Sequence, residues 1–410
     1  MRIGLFTDTY SPHINGVATS ILMLEHALRK IGHDVYVVTV NNDILSYDFG
    51  DSNVIRIPGI PTGIYDYRLS GIYPIKAINK IKKWNLDIIH SHTEFGIGTF
   101  ARIIARQLDI PIVHTYHTMY EDYVHYITKG HFDATSKKIV EYFTKFYCDK
   151  TVTELIVPTF KTYNLFKNKY KYDRNIHIIP TGIEIERFYK ENIDIKKVLE
   201  IKNKYGINKD DFIILFVGRI AQEKSIDFLI ENQSYLVRKN KKCKLMIVGS
   251  GPDLDSLKKK AKRLGKNVIF TGKVPWNEVP VYYNLANVFS TASHTETQGL
   301  TVIEAMASSL VVVALNDESF NTVIKDDYDG YLFNDKKQYR SKIENLMKDR
   351  EKCLLIGQNA YQTALKYSNE NYAKSVIKVY ELALKGRNIN VKRSFFKRAY
   401  DVVKRGLHDK

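Results

Sequence analysis

Two glutamates, Glu296 and Glu304, stand eight positions apart in the stretch 294–307, HTETQGLTVIEAMA, with Gly299 between them. A carboxylate accepts hydrogen bonds in pairs, so each suits the vicinal hydroxyls of a hexose or a ribose. The residues just before, VFSTAS, read as a buried strand, and LTVIEAMASS reads as a helix. Gly299 therefore falls at a strand-to-helix junction, where α/β folds bind ligands. The backbone N–H groups of Gly299, Leu300 and Thr301 lie where a helix begins and can cradle a phosphate. Taken singly, each glutamate also fits an ordinary role, Glu296 as a helix cap and Glu304 as a solvated helix residue.

Other stretches add cations and glycines at similar junctions. In VGRIAQEKSIDFL, Arg219 follows a strand and a glycine, and Lys224 comes five residues later near a helix start. Arginine supplies bidentate geometry and lysine a point charge, so together they could neutralise a diphosphate, although Glu223 could pair with one of them. In HINGVATS, Gly16 ends the loop after the first strand and opens a helix, which is either an anion contact or a simple turn. In MIVGSGPDLDSL, Asp253 and Asp255 make a DxD pair, as do Asp327 and Asp329 later. Helix capping explains the first pair, and no metal is inferred from it. His114 and His117 follow the apolar run PIVHTY into an aromatic loop, where a histidine faces a cleft or is satisfied in the core. In the same loop Glu121 and Asp122, flanked by Tyr120 and Tyr123, could orient an acceptor hydroxyl or serve as base.

What positions these residues is a repeated alternation. RIGLFT, a helical stretch, DVYVVTV, LDIIHSH and IPIVHTYH alternate strand with helix, pause across a charged region at 181–210, and restart with FIILFVGRI. At roughly 150 residues per domain, 410 residues make two or three domains. The expected architecture is α/β of the GT-B kind, two Rossmann-like domains with parallel sheets facing across a cleft. The expected boundaries are 1–190 for the N-terminal, acceptor- and membrane-facing domain and 191–370 for a nucleotide-sugar-binding domain. A helix at 371–386 packs back on the first domain, and a basic amphipathic tail fills 387–410. Three scattered cysteines without CxxC spacing argue against a disulfide framework or a structural zinc site. No segment reaches the roughly 20 apolar residues of a membrane span.

IPTGIEIERF, VGRIAQEKSIDFLI, VGSGP and TASHTETQGLTVIEAMA, in that order along the chain, resemble the retaining, nucleotide-sugar-dependent GT-B glycosyltransferases marked by a glutamate, seven residues and a second glutamate. HSHTEFGIG, HTYHTMYEDYVHYI and HTETQGLT are further similar to bacterial 1,2-diacylglycerol 3-alpha-glucosyltransferases, which use UDP-glucose. The resemblance implies that Glu296 contacts the transferred sugar and Glu304 the ribose, with Arg219 and Lys224 on the diphosphate. It further implies that Gly16 approaches the diphosphate from the N-terminal domain, that the Val274 backbone in TGKVP meets the base, and that His117 lies beside the donor sugar. Retention then proceeds without a protein-bound sugar, the leaving diphosphate helping to deprotonate the acceptor. The implied co-substrate is a UDP-sugar, with no tightly bound cofactor and no divalent metal needed to hold it.

Lysine and arginine exceed aspartate and glutamate, 62 against 45, which points to an anionic surface or ligand. In PIKAINKIKKW, Lys76, Lys80 and Lys83 lie opposite Ala77, Ile78, Ile81 and Trp84; in the tail, Phe395 and Phe396 lie opposite Lys397 and Arg398. Both stretches suit a helix in an anionic lipid interface, although the first also fits a helix packed on its own sheet. The expected location is the cytoplasmic face of the membrane, with diacylglycerol and anionic phospholipid as partners. A capsule or teichoic-acid glycosyltransferase with a polyprenyl-linked or soluble acceptor would keep most donor motifs. So would a sugar-nucleotide epimerase keep the architecture. A nucleic-acid partner is not expected, since no RNP-like, helix-turn-helix or zinc-finger signature accompanies the charge.

Overall fold

In the computed structural model of the chain, residues 1–13, 15–43, 46–61, 68–71, 74–94, 96–117, 141, 144–145, 147–148 and 151–386 are described. The strands of the first half are β1 (Arg2–Phe6), β2 (Asp34–Val40), β3 (Val54–Ile57), β4 (Gly59–Pro61), β5 (Arg68–Ser70), β6 (Ile88–Ser91), β7 (Ile112–Thr115), β8 (Glu154–Val157) and β9 (Ile176–Ile178). Seven of them form a parallel sheet in the order β3-β2-β1-β6-β7-β8-β9, and β4 and β5 make a small antiparallel pair. The second half supplies β10 (Phe212–Val217), β11 (Cys243–Val248), β12 (Val268–Gly272), β13 (Val288–Thr291), β14 (Val311–Leu315) and β15 (Tyr331–Phe333), ordered β12-β11-β10-β13-β14-β15. β10 and β11 are buried at every residue. Continuous apolar strands of this kind belong to parallel sheets covered on both faces.

In each sheet the strand order reverses once, beside β1 in the first and beside β10 in the second. At such a reversal the loops leaving two neighbouring strands diverge and open a crevice. The loops after β1 and β6, and those after β10 and β13, are therefore where each domain can hold a ligand.

Two compact bodies emerge. One comprises Met1–Pro158, Thr162–Ile179 and the chain from Ala373; the other comprises Thr159–Lys161 and Pro180–Tyr372. The main run of the second body thus starts at Pro180, where 191 was expected, and Thr159–Lys161 join it from upstream. Ile183, Ile185 and Phe188, set among charged neighbours in the sequence, are buried with Leu215, Phe289 and Ile303 in its core. The last helix, Asn369–Lys385, is anchored in the first body by the Tyr380 hydroxyl, 2.7 Å from Nδ1 of His90.

The helix Ile75–Trp84 corrects one expectation. Its apolar arc of Ala77, Ile78, Ile81 and Trp84 is buried beside Val38, Ile55 and Ile104 rather than offered to lipid. Lys80 donates to the carbonyl oxygens of Phe49 and Asp51 at 3.2 and 2.9 Å, while Lys76 and Lys83 face outward. The tail residues Phe395, Phe396, Lys397 and Arg398 lie outside the described residues. Among the described residues no helix is long and apolar enough to cross a membrane.

Candidate active site

In the second body, β10 ends at Val217 and β13 at Thr291, and the residues singled out by sequence leave from these two ends. Gly218 adopts φ +155°, and its carbonyl oxygen lies 1.9 Å from where a Cβ on Gly249 would sit. The glycines of VGSGP therefore let two loops meet backbone to backbone, with Ile220 N–H donating to the Ser250 carbonyl at 3.0 Å. That contact fixes the turn carrying Arg219, which is half-buried, and the 3₁₀ turn Gln222–Lys224. Lys224 Nζ reaches Oε1 of Glu296 at 2.5 Å, so the expected diphosphate cation and the expected sugar carboxylate form an ion pair with each other.

The loop carrying Glu296 is held from several sides. Lys161 donates to both carboxylate oxygens of Asp317, at 3.0 and 3.2 Å, and to the carbonyl oxygens of His294 and Glu296 at 3.4 Å. The Ser319 hydroxyl also donates to the Glu296 carbonyl. Thr159 donates to the Thr297 carbonyl at 2.9 Å, and the Gln298 amide is paired with both backbone groups of Thr181. Gly299 at φ +77° lies against Phe320, whose ring would be 2.5 Å from an added Cβ. The helix Leu300–Ala307 starts there with no side-chain cap, so its first N–H groups at Leu300 and Thr301 have no cap of their own.

Glu304 projects from that helix beside Tyr283, whose hydroxyl donates to its Oε2 at 2.8 Å. Burial raises the Glu304 pKa from 4.5 to about 7, against the lowering effects of Tyr283 and Arg187. It is thus not the solvated helix residue its position alone allows. Arg187 lies over the Trp276 ring, 3.1 Å from the centroid, and donates to the Trp276 carbonyl at 3.0 Å. This braces the segment after β12 that contains Val274, which packs on the core cluster. Among the described residues the Val274 backbone makes no backbone hydrogen bond, leaving an edge that a planar base can pair with.

In the first body the loop after β1 leads to Gly16, the first residue of the helix Gly16–Lys30. Asn15 caps that helix through the Ala18 N–H at 2.9 Å, and nothing among the described residues lies within 4 Å of a Cβ added to Gly16. Open space above a helix start suits a ligand oxygen. The ends of β6 and β7 bring four histidines together. His114 is buried, with Nδ1 2.9 Å from the Ser91 carbonyl and Nε2 3.0 Å from Oε1 of Glu94, and is satisfied within the core. Glu94, His114 and Cys148 each place a donor atom within 4.8 Å of the others, and the His114–Glu94 hydrogen bond already joins two of the three. His117 differs, being partly exposed, with Nε2 3.0 Å from Nδ1 of His92. Burial, together with the neighbouring His114, pushes its pKa down to about 3. Tyr120, Glu121, Asp122 and Tyr123 lie outside the described residues.

Residues 14–187 match the family described as Glycosyltransferase Family 4, and 197–363 match Glycosyl transferases group 1. The chain is 36% identical over 388 residues to an alpha-monoglucosyldiacylglycerol synthase of Acholeplasma laidlawii, covering 93% of this chain and 96% of that one. A protein of the same name from Streptococcus pneumoniae is 40% identical over 337 residues, 81% of this chain and 75% of its own. The chain is a group 1 glycosyltransferase. Its fold, two parallel-sheet α/β domains, is of GT-B type. Anabaena HepE, solved with UDP-glucose, superposes with a TM-score of 0.69 at 15% identity, over 93% of this chain and all of the other.

This glycosyltransferase shows partners that its sequence did not announce: Lys161, Asp317, Ser319, Tyr283 and Arg187. Lys161 and Asp317 are separated by 156 positions, and no spacing rule reaches that far. Tyr283 lies 21 positions before Glu304 on another helix, and only the side-by-side placement of the two helices joins them.

Proposed function

We propose that the protein transfers glucose from UDP-glucose to 1,2-diacylglycerol with retention of configuration, giving an alpha-monoglucosyl diacylglycerol at the cytoplasmic face of a membrane. The Lys224–Glu296 pair at the reversal of the second sheet carries the reading, because it unites a diphosphate cation and a sugar carboxylate in one adjustable contact. The two monoglucosyldiacylglycerol synthases, similar over most of the chain, support the choice of sugar and acceptor.

On donor binding Lys224 exchanges Glu296 for a diphosphate oxygen, and Arg219 takes another. Glu296, released, accepts from hydroxyls of the glucosyl group. The N–H groups of Leu300 and Thr301 add to the diphosphate site, Glu304 accepts from the ribose diol, and Val274 pairs with the uracil edge. Fixed cations aimed at a leaving diphosphate stabilise charge that grows as the glycosidic bond breaks. The same oxygen then draws the acceptor's proton on the face the nucleotide leaves, which preserves configuration. With lysine and arginine in this role no divalent metal is required for donor binding, and activity is expected to survive an excess of EDTA. Gly16 and His117 add hydrogen bonds from the first domain.

For the membrane, the outward Lys76 and Lys83 together with exposed Ile60 and Ile75 support a reversible contact with anionic phospholipid. Each such cation contributes on the order of 1 kcal/mol near an anionic surface. The test is transfer of labelled glucose from UDP-glucose to diacylglycerol in liposomes with and without anionic lipid. Label in a monoglucosyl lipid, greater with anionic lipid and lost in Glu296→Ala, is the expected result. Absence of labelled lipid from protein that binds UDP in calorimetry would overturn this donor and acceptor pair and point to another donor sugar or a polysaccharide acceptor.

A further inference from the structure

His92 and His117 meet through Nδ1 and Nε2 at 3.0 Å, with their rings stacked 5.3 Å apart. A hydrogen bond between two imidazole nitrogens needs one proton on one of them, and the other must be bare. Both rings are held neutral, since burial and the neighbouring histidines lower the pKa of each. The His90 ring lies against that of His92, centroids 4.0 Å apart and tilted by 36°, and His90 is itself tied to the hydroxyls of Tyr380 and Thr115, both at 2.7 Å. The proton of the His92–His117 contact therefore has two possible homes, and each fixes the opposite face of both rings.

The remaining nitrogen of His92 decides between them. His92 Nε2 is buried and has no hydrogen-bond partner among the described residues. A proton there would leave an N–H group unpaired in a dry site, which is rarer in folded proteins than an unfilled lone pair. His92 then carries its proton on Nδ1 and donates it to Nε2 of His117. His117, being neutral, must carry its own proton on Nδ1. We propose that His92 is a positioning residue that locks His117 as the Nδ1–H tautomer, so that His117 offers substrate a hydrogen-bond donor and not a base. Free imidazole side chains favour the Nε2–H form, so the contact imposes the less common one. Because the bare nitrogen of His117 is occupied by His92, the acceptor's proton must leave by another route. The leaving diphosphate supplies one. The catalytic consequence rests on the function proposed above; the tautomer does not.

The test is nitrogen-15 NMR of the full chain with labelled imidazole nitrogens, His117 being assigned by the signals that vanish in His117→Asn. The expected spectrum has a pyrrole-type signal at His117 Nδ1 and a bare, pyridine-type signal at Nε2, reverting towards the Nε2–H form in His92→Phe. A pyrrole-type Nε2 at His117 in the unsubstituted protein, or a spectrum unchanged in His92→Phe, overturns the proposal whether or not the enzyme uses diacylglycerol. A kinetic arm separates positioning from packing. His92→Phe is expected to lower kcat about tenfold while the KM for UDP-glucose stays within about twofold. His92→Asn keeps an N–H donor near the Nδ1 position and is expected to recover most of the loss. Equal loss in both variants overturns the positioning role.

Discussion

Between β10 and β13 the second sheet gathers formal charge: Arg219, Lys224 and Glu296, with Lys161 and Asp317 bracing the loop. Between β1 and β6, and on to β7, the first sheet gathers four histidines instead, His90, His92, His114 and His117, each with its pKa lowered by burial, beside the carboxylates of Asp8 and Glu94, the latter tied to His114. The two crevices are built alike, yet they hold hydrogen bonds of different kinds. Charged pairs can trade partners when an anion arrives, because the ligand offers the lysine what the glutamate gave it. Neutral rings in a dry site cannot trade charge, and their value lies in a fixed pattern of donors and acceptors. On the function proposed above, the charged crevice suits a diphosphate and the histidine crevice suits an uncharged hydroxyl ligand.

The largest effect is expected where charge is removed. Lys224→Ala should lower the transfer rate roughly 10³-fold and also weaken UDP in calorimetry, since it loses a contact to a diphosphate that is present before and during reaction. His117→Ala should lower kcat on the order of 10²-fold and leave UDP affinity unchanged. A His117→Ala protein that binds UDP as poorly as Lys224→Ala would break the contrast between the crevices.

Glu304 gives the next effect, and it depends on pH. Its carboxyl ionises near pH 7 in the folded chain against 4.5 ordinarily, so the folded state disfavours the ionised form. The resulting loss of stability is absent below the unfolded value, sets in as pH rises, and is fully present above about 7. Allowing for its partial exposure, the cost is on the order of 2 kcal/mol. Glu304→Gln should therefore melt higher than the unsubstituted protein at pH 8 and about equally at pH 4. UDP binding should weaken as pH falls through 7 in the unsubstituted protein, because a protonated carboxyl loses acceptor capacity for the ribose. In Glu304→Gln that slope should vanish.

The smallest effect sharpens the account of the charged loop. Lys161→Ala removes a half-buried pair with Asp317 and two carbonyl contacts, and should cost about 1 kcal/mol of stability. It should also raise the KM for donor several-fold without a matching fall in kcat, as expected of a residue that only shapes the loop.

The architecture, and the placing of most candidate second-domain residues at strand and helix ends, were legible in the sequence because they depend on local pattern. An apolar run ending at Gly218 marks a strand end and Gly299 marks a helix start, and Arg219, Lys224, Glu296 and Glu304 each lie within a few residues of one or the other. Pairings between distant segments were not legible. Lys161 to Asp317, Arg187 to Trp276 and Tyr283 to Glu304 exist only after the sheet has formed. The stretch 180–190 misled for a related reason: Ile183, Ile185 and Phe188 are dispersed among charges, and only their packing identifies them as core. The helix Ile75–Trp84 carried a two-faced pattern that fits lipid and protein equally, and the sheet beneath it took the apolar face.

The contact between Tyr380 and His90 has a consequence for how the protein is made. The chain starts the first domain, builds the whole of the second, and only then supplies the helix that completes the first. During synthesis, the second domain has all its residues outside the ribosome while the first still lacks the helix that anchors the histidine network. The domain begun first is finished last, so a chain cut between Tyr372 and Tyr380 keeps every residue of the second body and leaves the histidine half incomplete.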